Sequence, residues 1–589
     1  MTNEKSNLQG ALLPTDEQTI VNNQSSNSLD TRRKANGRIA KAVITIFAIV
    51  CYIGFYCFKS GTPLLASGPS VSVSRATECP DVEKIIPSDQ FASPEQFFTD
   101  DYKNFSIHAW AGAIKYPTVG YDDLKDIGED DRWLPFGDLQ QFLKETFPLT
   151  FSKLEVEHVN TYGLLLTLHG KDTSLKPVLL MAHQDVVPVP DGTLADWTYP
   201  PFSGHFDGEF VWGRGSSDDK NSLIGILEGI EALLKQGYAP DRGVILSFGF
   251  DEEVSGWRGA KNIASHLENK LGKDSIYMII DEGGGGVQNV HGGWFGLLGT
   301  GEKGYLDVRV AITTSGGHSS IPPDHTSIGI ISRFITELED NPYEPDITRA
   351  NPFYYNLQCF AEKAPEIDAQ FKADIQNIEK CPAAKKRVID IVEQDFLTKY
   401  VIRTSQAADV INGGIKINAL PEQVSVDLNH RIAIESSVDF VKENIVSKIT
   451  ALAKRFEFNV KAFGENILDN ANSKGLFEVT SLSELSPAPV TPISNNPTWD
   501  LLGGTVRQVF EDVNGGIVDS PIAITPSIMT ANTDTRHYWN LTKNIYRFTP
   551  IANPFDYNIH TVDEHTSVDG HLKAVAFYYN FLRNVDTFN

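Results

Sequence analysis

Apolar and polar positions change rhythm along this chain, and each rhythm predicts a different kind of element. From about residue 150, short apolar runs alternate with amphipathic stretches, as in KPVLLMAH, NSLIGILEGIEALLKQG, GVILSFGF and SIYMIID. The short runs predict buried strands. The longer stretch places Leu223, Ile224, Leu227, Ile230, Leu233 and Leu234 at helical spacing before Gly237, a C-terminal stop. Strand and helix in alternation predict an α/β core with a mostly parallel sheet.

After GEKG the period becomes two. Leu306, Val308, Val310 and Ile312 alternate with Asp307, Arg309 and Ala311, and a second strand of this kind carries Val424, Val426 and Leu428 before the helical stretch SVDFVKENIVSKITALAKRF. Half-buried strands followed by helices predict a smaller α+β, ferredoxin-like lid domain over residues 302 to 464, inserted into a larger domain formed by 81 to 301 and 465 to 589. Residues 342 to 411 form a long, partly helical insertion.

A third pattern stands at the N-terminus. Residues 1 to 30 are rich in Asn, Gln, Ser and Thr, which predicts a disordered tail reaching to residue 41. Arg32, Arg33, Lys34, Arg38 and Lys41 then precede an uncharged run of 17 residues from Ala42 to Phe58. That length suits one membrane-spanning signal anchor, and the basic residues before it place the tail in the cytosol. Residues 59 to 80 follow as a Gly-, Pro- and Ser-rich stalk, and everything beyond is lumenal or extracellular. Sequons at Asn104 and Asn540 would be usable glycosylation sites on that side. In the tail, Lys5 and the pair Leu12 and Leu13 suggest contact with ubiquitin or sorting machinery.

At 589 residues the chain exceeds what one hydrophobic core supports, in keeping with two folded domains plus a tail. The balance of 51 Lys plus Arg against 76 Asp plus Glu, a net charge of −25, argues against nucleic acid as a partner. Outside the apolar segment only Cys79, Cys359 and Cys381 remain, with no CxxC pair, so neither a disulfide scaffold nor a thiolate metal site is expected.

In a parallel sheet, ligands bind beyond the carboxyl ends of the strands. There, LLMA is followed by His183 and Asp185; ILSFGF by Asp251, Glu252 and Glu253; YMII by Asp281 and Glu282; and GRGSSDDK puts Asp218 at the start of the amphipathic helix. Burying so many acids unpaired would be prohibitive, and divalent cations would neutralise them. Imidazole and carboxylate without thiolate suit zinc, with manganese or cobalt as alternatives. Two cations about 4 Å apart need a bridging carboxylate and activate water toward a carbonyl. Of the adjacent glutamates, Glu253 can ligate while Glu252 stays free as general base.

The motifs HQD (183 to 185), GRGSSDDK (213 to 220), DEEVSG (251 to 256), IDEGG (280 to 284), SGGHSS (315 to 320), TDTRHY (533 to 538) and IHTVDEH (559 to 565) together resemble the M20 family of metallopeptidases, and within it the carboxypeptidase S branch of fungal vacuolar enzymes. The resemblance implies a two-zinc enzyme. Asp218 would bridge, with His183 and Asp281 on one metal and Glu253 and His560 on the other; Glu282 is the alternative to Asp281, and His565 to His560. Asp185 would orient His183, Glu252 would be the base, and His318 would stabilise the oxyanion, in some relatives from a partner subunit, so that a homodimer is allowed. Arg536 would hold the substrate's free carboxylate, and Asn418 would contact substrate. The implied reaction is removal of the C-terminal residue from short peptides, in the vacuole lumen. N-acyl amino acid hydrolysis is the second reading, and a silent peptide-binding or sorting protein on the same scaffold is the third.

Overall fold

The computed structural model describes residues 78 to 589 apart from Leu397, Asp519 and Asn589. The expected tail, the membrane anchor at 42 to 58 and most of the stalk lie outside the described residues. No helix among the described residues is long and apolar enough to cross a membrane.

The larger sheet runs in the order Glu155–Val159, Gly163–Leu168, Val244–Gly249, Val178–His183, Met278–Asp281, Ile545–Arg547, Gly293–Glu302 and Ala523–Met529, with Gly286–Val290 paired to Gly293–Glu302. Its centre is parallel, as the alternation of strand and helix predicts: Val178–His183 pairs in parallel with both Val244–Gly249 and Met278–Asp281. Its flanks are not. Gly163–Leu168 runs antiparallel to Val244–Gly249, and Gly293–Glu302 antiparallel to Arg547, so the sheet is mixed rather than mostly parallel. Strand direction is decided by pairing, which an apolar run does not encode.

The amphipathic stretch forms the helix Lys220–Lys235, and Gly237 beyond it has the positive φ of 84° that suits glycine. This helix packs against Val568–Thr587 on one side of the sheet. Gly229 permits the close approach, because a Cβ there would lie 3.0 Å from the Tyr579 backbone nitrogen. The main core, including Leu180, Leu246, Ile280, Leu227 and Phe577, sits between sheet and helices.

A second sheet follows the order Ser405–Gly413, Gln423–Ile432, Gly304–Thr313, Leu476–Leu485, Asn459–Ala462 and Glu465–Leu468. Leu306, Val308, Val310 and Ile312 lie on its buried face with Val424, Val426 and Leu428, covered by Ile330, Phe334, Ile445 and Ile449 from two helices. This is the expected α+β layer, but it continues past residue 464 to Leu485, because Leu476–Leu485 pairs antiparallel with Gly304–Thr313. The insertion at 342 to 411 divides between the layers. Its helices, beginning with Pro352–Lys363, pack on Phe295, Leu297 and Ile528 of the larger sheet, whereas Ser405–Gly413 becomes the edge of the smaller one. A disulfide between Cys79 and Cys359 ties the start of the described chain to Pro352–Lys363.

Candidate metal centre

Three adjacent parallel strands end at one edge of the larger sheet, and each delivers acids or imidazole there. His183 is the last residue of its strand; its Nδ1–H donates to the Asp185 carbonyl oxygen at 2.9 Å, which turns Nε2 toward Asp218 Oδ1 at 3.0 Å and Glu282 Oε1 at 3.5 Å. The other oxygen of Asp218, Oδ2, lies 3.0 Å from His560 Nε2, and that nitrogen is 3.4 Å from Glu253 Oε2. Asp218 thus stands between two imidazoles, one oxygen for each.

The electrostatics follow from burial. Burial pushes the Glu253 carboxyl up to about 7, with Asp218 adding to it. It drives Glu252 well above the usual carboxylate range, with Asp534 and Glu253 acting in the same direction and His183 against. For His183 burial opposes the charge, but Glu282, Asp185 and Asp218 outweigh it and hold the imidazole well above its ordinary value. His560 is raised to about 10 by its hydrogen bonds to Asp218 and Glu253. The acids gathered here therefore favour positive charge among them.

The residues fit divalent cations. His183, Asp218 and Glu253 form one group, and His183, Glu252 and Glu282 another, in which all ligand atoms lie within 4.8 Å of one another. Glu253 Oε1 is buried with no hydrogen-bond partner. The donors are imidazole and carboxylate, as zinc accepts. Both acids at the end of this strand bear on His183: Glu282 Oε1 comes within 3.5 Å of its Nε2, while Asp281, whose Oδ2 is buried with no hydrogen-bond partner, feels the charge of His183 ahead of those of Glu302 and Arg547.

Asp185 is fully buried and accepts the Glu252 N–H at Oδ1, 3.1 Å, and the Glu253 N–H at Oδ2, 3.0 Å. It ties the His183 strand end to the turn carrying both glutamates. Arg536, on the short helix Asp534–His537, directs Nη2 to within 3.6 Å of Glu252 Oε1, and its Nε–H donates to the Thr533 carbonyl at 3.0 Å. The turn is anchored from below: Glu302 accepts from Thr533 and Thr535 and pairs with the fully buried Arg547 at 3.0 Å.

His318 and Asn418 come together elsewhere. Gly317–His318 pairs antiparallel with Ala419–Leu420, and the Ser319 N–H donates to the Asn418 carbonyl. Both residues are exposed, and the hydrogen bonds of the His318 ring run to Ser320. Asn104 and Asn540 are exposed as well. Arg431 is a residue the sequence does not single out. It sits on the Gln423–Ile432 strand, donates to Asn532 Oδ1 at 3.0 Å, and is lowered by burial and by the neighbouring charge of Arg536, with Asp307 and Tyr305 acting against. Its strand face otherwise carries Ser425, Asp427 and Asn429, the pattern of an ordinary solvated face.

Carboxylates and imidazoles gathered this tightly at the ends of parallel strands are the mark of metal-dependent hydrolases. Residues 179–584 match Peptidase family M20/M25/M40, and the chain belongs to that family. It is 41% identical over 572 residues to Carboxypeptidase S of Saccharomyces cerevisiae, spanning 94% of this chain and 98% of that protein. It is also 32% identical over 504 residues to the N-fatty-acyl-amino acid synthase/hydrolase PM20D1 of Mus musculus, spanning 84% of this chain and 90% of the relative. Among solved structures, the M20 family metallo-carboxypeptidase Sso-CP2 from Sulfolobus solfataricus shares the fold, with a TM-score of 0.56 at 16% identity, over 82% of this chain and 99% of that one.

Proposed function

We propose that this protein is a two-zinc carboxypeptidase that removes the C-terminal residue from short peptides. The observation that carries the reading is the contact of Arg536 with Glu252 at 3.6 Å. A cation suited to a substrate carboxylate lies beside the buried carboxylate suited to act as base, so the amide to be cut is the one next to a free carboxylate. The likeness to Carboxypeptidase S supports it.

His183, Asp218 and Glu282 would hold one cation and Asp218, Glu253 and His560 the other; when bound, the pair supplies Lewis acidity and makes water acidic enough to lose a proton near neutral pH. Glu252 accepts that proton at its carboxylate and returns it to the leaving amine. Arg536 leaves Glu252 to grip the substrate carboxylate, and Arg431, from the second layer, adds a second guanidinium. His318 supplies a donor to the developing oxyanion, and Asn418 accompanies it on the paired strand. Both are exposed, so they would reach substrate by movement of the second layer or from a second copy in a homodimer.

The choice of Glu282 over Asp281 is testable. Glu282→Ala should lower the zinc content of the purified protein, measured by mass spectrometry, toward one ion per chain, whereas Asp281→Asn should retain more; the opposite ranking restores Asp281 as the ligand.

A second reading, hydrolysis of N-acyl amino acids, is favoured by the likeness to the N-fatty-acyl-amino acid synthase/hydrolase. It requires the same carboxylate grip and differs only behind the scissile carbonyl. Zinc-loaded protein given dipeptides and N-acyl amino acids side by side should turn over the dipeptides faster, and a higher kcat/KM for the acylated series would replace the first reading with the second. The basic residues before the 42 to 58 run support a single-pass anchor with the enzyme facing the vacuole lumen, and the exposure of Asn104 and Asn540 supports glycans there.

A further inference from the structure

We propose that Glu564 is a positioning residue that sets the approach of His560 to Asp218 and so governs the affinity of the second cation site, an inference that rests on the two-cation reading above. Asp218 and His560 come from loops far apart in the chain, and neither loop is a strand end of the larger sheet. Glu564 joins them. Its side chain is fully buried; Oε1 accepts the N–H groups of Gly215 at 3.0 Å, Ser217 at 2.8 Å and Asp218 at 3.2 Å, and Oε2 accepts from Arg214 Nη1 at 2.6 Å. The Glu564 carbonyl accepts the Gly213 N–H at 2.9 Å.

The neighbours extend the clasp. Asp563 accepts from the Thr198 N–H at 2.6 Å and hydroxyl at 2.7 Å, and His565 pairs with Trp212 in an antiparallel ladder. Such lacing is needed because the turn carries side-chain-bearing residues in the left-handed region, with φ of 55° at Asn558, 63° at His560 and 61° at Asp563. Backbone of that kind persists only where its surroundings over-determine it.

Only a carboxylate meets the demand at this point. Every polar neighbour described above is a donor, so a glutamine would turn its NH₂ either toward the Arg214 guanidinium or toward the three backbone N–H groups. Asp218 serves both sides of the centre, but the His183 side has further contacts from Asp185 and Glu282 that do not pass through Glu564, whereas His560 lies four residues before Glu564 on the same turn. Disturbing Glu564 should therefore loosen the His560 side first.

The test is a zinc titration of the full-length, metal-depleted protein, followed by equilibrium dialysis and calorimetry with a parallel thermal melt. Wild type should bind two zinc ions. Glu564→Gln should bind the first with affinity close to wild type and the second at least about tenfold more weakly, in the range reported for residues that orient ligands. Its kcat at limiting zinc should fall and recover with excess zinc at unchanged KM. Glu564→Asp, which keeps the charge on a shorter arm, should fall between the two, and it carries the comparison if the glutamine variant lacks a cooperative melt. Equal weakening of both ions, weakening of neither, or lost activity that zinc does not restore would overturn the role assigned to Glu564. A wild type that binds a single ion would instead overturn the two-cation reading.

Discussion

Glu252→Gln is expected to lower kcat on a dipeptide by about 10²–10⁴-fold, the range a positioned acid–base group contributes, with zinc content and melting temperature near wild type. The amide has almost the same shape as the carboxylate it replaces but cannot take a proton from water. Glu252 is buried with Arg536 beside it, whereas Glu253 is the glutamate that meets His560. Steady-state kinetics on metal-loaded protein, with zinc counted on the same sample, checks this. Because Glu252 lies within 4.8 Å of ligand atoms of His183 and Glu282, a loss of zinc in the variant would make it a ligand and remove it as the base.

Chelation should destabilise the protein much more at pH 7.5 than at pH 5. In the metal-free fold, burial raises Glu253 from 4.5 to about 7 and Asp281 from 3.8 to about 6. Below the unfolded values both states are protonated and nothing is lost. As pH climbs from about 4 to 7 the unfolded chain releases these protons while the folded chain retains them, so stability falls. His560 is raised from 6.5 to about 10 by Asp218 and Glu253; the stability it adds is fully present below 6.5 and is lost as pH rises toward 10. Asp218 is lowered, since His183 and His560 outweigh its burial, and its contribution is lost only below 3.8. Across pH 5 to 7.5 the two acids and His560 therefore act in the same direction. Bound cations would take the place of the protons on Glu253 and His560, and they bind more tightly as pH rises, so the metal-loaded protein should not share this loss of stability. Thermal melts with and without chelator at the two pH values measure it, and an equal shift at both would contradict the electrostatics described here.

Much of this molecule is legible along the chain. Short apolar runs ending in His183, in Asp251 to Glu253 and in Asp281 and Glu282 mark strands whose carboxyl ends carry chemistry, because a buried strand that stops at an acid needs a reason to stop there. The period-two runs around Val308 and Val426 likewise mark the second layer. Its limit at Leu485 is less legible, since Asn459–Ala462 and Glu465–Leu468 are too short to show a period. Arg431 is hidden because its strand face reads as solvated, and Glu564 because one acid in VDEH looks like any other.

The order of apolar and polar residues thus determined the kind of each element and the candidate donors, since both depend on neighbours a few positions away. Only the tertiary structure decided which donors meet: Glu282 within reach of His183, Arg536 beside Glu252, and Glu564 under the Asp218 loop. Those outcomes depend on the face a side chain leaves from and on loops hundreds of residues apart being packed together, and neither is encoded in local periodicity.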